Sequence, residues 1–252
     1  MIGDMQKWTP NVAGIIEHAR EIHPKTEIIS RLVSGEIHRS NYEKVCIRSR
    51  KLASALEKDG VKKGDVIATL ALNTYRHLEM YYGISGMGAI THTLNFRLHP
   101  EQAVYIINHA EDKIIFVELP FVPILEALQE NLKTVEKYVV LCEVDEMPET
   151  ALKNAISYEE YIQDGDENYS WPTLEDDAAC ALCYTSGTTG NPKGVLYSHK
   201  SNVIHAQAAL TAMTIKPDDT ILMVVPLFHV LAWGIPYFGP MNGLKLVMPG
   251  MQ

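Results

Sequence analysis

The stretch VIATLALNTYRHLEMYYGISGMGAITHTL, residues 66–94, decides the architecture. It opens on a short apolar run, Val66–Leu72, directly after Lys63-Gly64-Asp65, which is the pattern of a turn followed by a buried strand. Thr74–Met87 then has the length of a helix, and Ala89–Leu94 is a second short apolar run. Strand, helix and strand within about 30 residues make one βαβ unit, with parallel pairing and a right-handed crossover.

Working outward, the alternation continues. Pro100 opens a helix to about His109, Lys113–Val117 is a third strand, Pro120–Leu132 a helix and Lys137–Cys142 a fourth strand. Apolar structure resumes at Ala178–Thr185, followed by a loop and a helix near Ser201–Met213. The expectation is an α/β protein. Its mostly parallel, helix-flanked sheet uses Val66–Leu72, Ala89–Leu94, Lys113–Val117, Lys137–Cys142 and Ala178–Tyr184. Upstream, Thr9-Pro10 reads as cap and first-turn proline of a helix to about Ile22. Thr26–Leu32 reads as a strand with Ser34-Gly35 as its turn, and Ser40 with Glu43 as the capping box of a helix to Gly60. Ile221–Val225 and Leu244–Met248 are two further strands. Residues 143–177, rich in Glu, Asp, Asn and Pro, read as a surface excursion or subdomain junction.

The 252 residues carry 22 Lys+Arg against 31 Asp+Glu, a net charge of −9, which argues against nucleic acid as a partner. No apolar run approaches the roughly 20 residues needed to span a bilayer. The N-terminus lacks a basic region followed by an apolar core, so it is not read as a secretory signal. Four cysteines without a dense framework fit a reducing, cytoplasmic setting.

The chemistry concentrates in YTSGTTGNPKGVLYSHK, Tyr184–Lys200. A strand ends in a loop holding Thr185, Ser186, Thr188 and Thr189, the glycines Gly187, Gly190 and Gly194, and Lys193. Glycines let backbone N–H groups turn inward around an anion, hydroxyls add rotatable donors and the lysine adds a compact positive charge. Those parts suit a polyphosphate at the carboxyl end of a strand. Lys193 follows Pro192 and precedes Gly194, which breaks the Walker A order. Tyr184 stands where a nucleophile elbow needs glycine. Gly83, Gly86 and Gly88 have the wrong order for a dinucleotide fingerprint. Cys180, Cys183, His199 and His205 match a zinc spacing, but the cysteines fall inside an apolar strand whose positions three apart face opposite ways. Stoichiometric zinc on metal analysis would reverse that judgement. His99, His109 and His205 receive no role, and Lys62-Lys63 and Glu111-Asp112 read as solvated turns.

YTSGTTGNPKG resembles the phosphate-loop signature of the adenylate-forming superfamily of acyl-CoA synthetases, peptide-synthetase adenylation domains and beetle luciferases. Leu94–Val117 is similar to that family's second core segment, and Pro226–Tyr237 to the aromatic segment beside its acyl pocket. The likeness runs from about Trp8 to the end of the chain and is strongest to medium- and long-chain fatty-acyl-CoA ligases and methylmercaptopropionate-CoA ligases. It implies ATP-dependent activation of a carboxylic acid to an acyl-adenylate, then thioester formation with coenzyme A. Thr185, Ser186, Gly187, Thr188, Thr189, Gly190 and Lys193 would hold the β- and γ-phosphates, with Thr188 on Mg²⁺. His229 would stand between nucleotide and carboxylate, and Trp233 would gate the acyl tunnel. Read without the resemblance, Phe228 and Trp233 are equally core aromatics and His229 a hydrogen-bonded core histidine.

The same resemblance expects elements not found in these residues: an acidic motif of the Tyr-Gly-x-Thr-Glu type, a ribose-binding aspartate, a hinge and a catalytic lysine. The last strand is followed only by Pro249–Gln252. The expectation is therefore the N-terminal half of a larger ligase. Residues 1–60 and 220–252 would begin a second similar sheet, about 61–219 would form the first α/β subdomain, and exposed apolar edges would favour homo-oligomers. Phosphate contacts without adenine and ribose contacts leave residues 1–252 inactive in pyrophosphate exchange on this reading, and robust exchange with any carboxylic acid would overturn it. Two alternatives stay open: an adenylating enzyme that uses an amino acid or loads a carrier-protein thiol, and a non-catalytic phosphate-binding domain.

Overall fold

The computed structural model describes residues 8–175, 177–185 and 191–251. In chain order the first half runs α1 (Val12–Ile22), β1 (Glu27–Arg31), β2 (Ile37–Asn41), α2 (Tyr42–Lys58), β3 (Val66–Leu70), α3 (Tyr75–Gly86), β4 (Ile90–Thr93), α4 (Pro100–Ala110) and β5 (Ile114–Val117). It continues with α5 (Val122–Leu128), β6 (Lys137–Val140), β7 (Ala155–Ser157), α6 (Tyr158–Gln163), β8 (Ala179–Thr185), β9 (Lys193–Ser198), α7 (His199–Ala212), β10 (Thr220–Leu222), α8 (Ile235–Met241) and β11 (Lys245–Met248).

Seven strands form one sheet in the order β7-β6-β5-β3-β4-β8-β9, parallel throughout except for the β8–β9 pair. All five strands expected for this sheet are in it. A second sheet has the order β10-β11-β1-β2, with β11 parallel to both neighbours and β2 antiparallel to β1.

Several local expectations are corrected. Asn11 caps α1, its side chain accepting from Gly14 N at 2.8 Å, so Thr9-Pro10 lies outside the helix. Asn41 caps α2 by accepting from Lys44 N at 2.9 Å; Ser40 is engaged in the ladder opposite Ile28 and so does not cap. Pro120–Leu132 is divided into two 3₁₀ turns around α5. Residues 143–177 contain β7, which extends the large sheet beside β6, and α6, which buries Tyr158, Tyr161 and Ile162. Elements of three and six residues lie below the length at which periodicity is readable. Lys193–Ser198, read as loop, is an edge strand. Asp112 is not solvated: it is fully buried, and His92 Nδ1–H donates to its carboxylate at 2.8 Å. Burial pushes the Asp112 pKa above the ordinary carboxyl value, and the imidazole compensates.

Helix α3 lies at the centre, and every residue from Tyr75 to Gly86 is buried. Helix α2 approaches it so closely that a Cβ on Gly83 would stand 2.7 Å from Leu52 and 2.9 Å from the Ser49 carbonyl. A helix buried all round must satisfy its polar side chains internally. Glu79 accepts from Arg48 Nε at 2.7 Å and from the Tyr158 hydroxyl at 2.9 Å. Arg48 also binds Glu159 through both terminal nitrogens at 2.9 Å, and Arg76 joins the same carboxylate at 2.9 Å.

Arg48→Met should destabilise the chain by about 3–5 kcal/mol in urea unfolding, because it leaves the Glu79 carboxylate buried without a cation. Arg39→Met, which breaks the exposed pair with Glu27, should leave the midpoint unchanged. A second expectation concerns pH. Burial raises the Glu118 pKa to about 7 from an ordinary 4.5, although its carboxylate accepts from Leu72 N at 3.2 Å. The folded state therefore keeps this proton after the unfolded chain has lost it. The contribution is fully present below about pH 4.5 and is lost as pH rises toward 7. Glu118→Gln should match the parent near pH 4.5 and exceed it at pH 8, by about 3 kcal/mol at most. Urea unfolding at both pH values checks this.

Candidate active site

Strand β4 leads to β5, which lies beyond β3 on one side, whereas β8 leads to β9 on the other, so the connections diverge between β4 and β8. Crevices for ligands form at the carboxyl ends of strands at such a divergence. A cleft of about 220 Å³ lies there, at the carboxyl ends of β4 and β8. Thr93, Tyr184, Thr185, Pro192, Phe228 and His229 contribute to its walls. A polar hollow of about 310 Å³ at the opposite, amino end of β3, β5 and β6 contains none of the residues chosen from sequence.

The residues on either side of the glycine-rich segment belong to a hairpin beside this cleft. Thr185 ends β8 and pairs with Lys193, which begins β9, so the two ends of the glycine-rich segment are held together. Both are exposed. The Thr185 hydroxyl reaches only 3.5 Å from the Lys193 carbonyl, too long to hold it strongly. Ser186, Gly187, Thr188, Thr189 and Gly190 lie outside the described residues. Tyr184, just before the loop, donates its hydroxyl to His109 Nδ1 at 2.6 Å. Burial pushes its phenol up to about 12, so the proton stays on oxygen. His109, given no role from sequence, thus fastens the loop's entry to α4.

The opposite wall is fixed from below. Asn73 Nδ2 donates to the Met223 and Val225 carbonyls, and its Oδ1 accepts from Leu227 N, each at 2.8 Å. Asn73 is buried just past β3, so the first sheet grips the segment that leads from β10 to His229. Tyr81 adds a bond to the Leu227 carbonyl at 2.5 Å. Phe228 meets Phe96 edge to face, with ring centres 5.0 Å apart, and Phe96 stacks on Phe121. His229 is exposed toward the cleft rather than a core residue, and Trp233 is 62% exposed rather than a core aromatic.

After His229 the backbone turns left-handed. Val230, Leu231, Ala232 and Trp233 have φ of 46°, 52°, 47° and 56°, and Gly234 follows at 80°. Left-handed helical geometry costs roughly 1–2 kcal/mol per non-glycine residue, and a β-branched residue there is an outlier. Such strain persists where surrounding structure over-determines it, commonly beside functional surfaces. The turn forms one side of an apolar hollow of about 400 Å³ lined also by Tyr197, Asn202 and His205. Tyr197 and Val230 line both this hollow and the cleft, so the two are neighbours with a common wall.

Cys180 and Cys183 are buried in β8, where Cys180 Sγ accepts from Asn202 and Cys183 Sγ lies 3.3 Å from the Thr93 hydroxyl. Among the described residues, no helix is long and apolar enough to cross a membrane.

The chain is 46% identical to a medium-chain-fatty-acid–CoA ligase of Ectopseudomonas oleovorans, over 99% of this chain and 46% of that protein. It is 42% identical to a 3-methylmercaptopropionyl-CoA ligase of Ruegeria lacuscaerulensis, over 99% of this chain and 47% of the relative. The chain thus spans about half the length of the curated relatives it matches. Among solved structures, a long-chain-fatty-acid-CoA ligase from Archaeoglobus fulgidus superposes with a TM-score of 0.84 at 23% identity, covering 100% of this chain and 50% of that one. At that identity the likeness is one of fold. The sequence pattern of the AMP-binding enzymes matches residues 16–251, which takes in the hairpin loop, the Asn73 clamp and the left-handed turn together, and the chain belongs to that family.

Proposed function

We propose that this sequence supplies the phosphate-binding and acyl-binding portion of an AMP-forming acyl-CoA ligase. The observation that carries the reading is the shared wall. A cleft of mixed lining framed by Thr185 and His229 adjoins an apolar hollow edged by Trp233, so a polyphosphate and an acyl chain can lie end to end across Tyr197 and Val230.

The reaction joins a carboxylate to the α-phosphate of ATP, releases pyrophosphate, and then transfers the acyl group to the coenzyme A thiol. Catalysis of this kind is positioning plus stabilisation of charge on phosphate oxygens. Lys193 and the hydroxyl of Thr185 face the β- and γ-phosphates, with Ser186, Gly187, Thr189 and Gly190 continuing the cradle. Mg²⁺ on Thr188 supplies neutralising charge when bound; that assignment rests on the family resemblance, since Thr188 lies outside the described residues. His229 orients the carboxylate toward the α-phosphate, and Trp233 borders the acyl chain. The acid is a fatty or related carboxylic acid, in keeping with the names of the relatives. A cytoplasmic setting fits the free, buried cysteines Cys46, Cys142, Cys180 and Cys183. Val195, Leu196 and Ile204 are exposed apolar residues through which copies could associate.

The test fuses residues 1–252 to the remaining portion of the medium-chain relative and follows acyl-CoA formation. The fusion should turn over straight-chain acids. Thr188→Val should slow adenylate formation by about 10²–10³, the usual effect of losing one electrostatic stabiliser. Thioester formation from preformed acyl-adenylate should be much less affected, because pyrophosphate has already left. Trp233→Ala should change chain-length preference with little effect on the Michaelis constant for ATP. Equal slowing of both half-reactions by Thr188→Val would make the loop a structural element and overturn the assignment.

A further inference from the structure

The left-handed turn at Val230–Gly234 has an external support. His205, on the exposed side of α7, directs its Nε2–H to the Trp233 carbonyl at 3.2 Å. A Cβ on Gly234 would stand 2.6 Å from Cδ2 and 2.7 Å from Nε2 of the same ring. The Cδ2–Nε2 edge of the imidazole thus abuts the glycine backbone while bonding the residue before it. Within the turn, Ala232 N donates to the His229 carbonyl at 2.9 Å, so displacement at Trp233 is transmitted to the residue that faces the cleft. His205 and Trp233 line the same apolar hollow. Trp233 is largely exposed, so packing on its indole does little to fix it, and its position depends on how its backbone is held.

We infer that His205 is a positioning residue for the acyl site: its ring latches the strained Val230–Gly234 turn, sets the orientation of Trp233 and thereby limits the chain length the hollow accepts. The inference rests on the ligase reading for its specificity part, while the latch itself is a property of the fold. Histidine suits the task because one rigid ring edge supplies both the donor and the contact that covers a glycine. A longer flexible donor would hold the carbonyl without covering the backbone. An aliphatic residue would cover the backbone without holding the carbonyl.

Two measurements test this. Hydrogen–deuterium exchange on residues 1–252 reads the latch directly. His205→Leu should raise exchange in segment 231–234 by about tenfold relative to the parent, while α7 and β8 stay protected. His205→Gln, which retains an N–H donor, should restore most of the protection. In the active fusion, His205→Leu should reduce the ratio of kcat/KM between octanoate and dodecanoate by about tenfold, with the Michaelis constant for ATP unchanged. Unchanged exchange in His205→Leu would overturn the latch. Altered exchange with an unchanged chain-length ratio would overturn the specificity role. A change in the Michaelis constant for ATP equal to the change in chain-length ratio would also overturn it, by showing a general distortion. A parent fusion that binds ATP but turns over no acid would instead reject the ligase reading, leaving exchange to decide the latch.

Discussion

The site depends first on Asn73. Its amide ties the end of β3 of the large sheet to three alternate residues beyond β10, Met223, Val225 and Leu227, using both N–H groups and the carbonyl oxygen within the protein. Asparagine is suited because its planar amide presents donors and an acceptor on one carbon. An apolar replacement would leave two carbonyls and one N–H buried and unpaired, each at about 1–3 kcal/mol. Gly250 N also donates to the Asn73 carbonyl at 3.1 Å, so the segments that follow β10 and β11 of the small sheet converge on this residue. His229 is two residues past the last of these bonds. Its placement is a consequence of how the two sheets are joined.

That junction needs a rigid partner, and α3 provides it. Lying between the sheets, α3 is buried on every face and sends Tyr81 to the Leu227 carbonyl and Tyr82 to the Pro236 carbonyl. The same burial explains the charged network beneath it. Glu79 and Arg76 cannot reach water from α3, so Arg48, Tyr158 and Glu159 are brought to them from α2 and α6. Buried ion pairs of this kind do little for net stability compared with apolar packing, but they penalise any other docking of the helices. The register of α2 on α3 is thus specified twice, by the Gly83 contact and by the ionic network.

The large sheet was legible because its strands are apolar on both faces and alternate with helices, which leaves few topologies. Thr185 and Lys193 were legible as a pair because glycine and proline punctuation announces a loop between them. Less was readable where a residue's role depends on a distant partner. Asp112 follows Glu111 in a charged turn, and nothing local distinguishes a carboxylate that will be buried against His92, twenty residues away. His109 and His205 look like surface histidines on helices, and each acquires its contact from a segment 75 or 28 residues further along the chain. Asn73 carries a partial signal: a polar residue directly after a doubly buried strand has backbone to satisfy, although its partners cannot be named. The edge strand β9 was missed because its side chains are mostly exposed, so no burial pattern marks it.

The two halves of the cleft are consequently held by different means. The side at Thr185 is a hairpin whose ends pair through backbone bonds and whose entry is fastened by one phenol–imidazole contact. The side at Trp233 is a strained turn, anchored at its start by Asn73 and at its far end by an exposed histidine. Tyr197, from β9, lines both spaces. Substitutions in the turn can therefore reshape the apolar hollow while the β8–β9 hairpin keeps its register. A fold that divides its cleft and hollow in this way can vary one without rebuilding the other, because the two spaces share a wall but not a support.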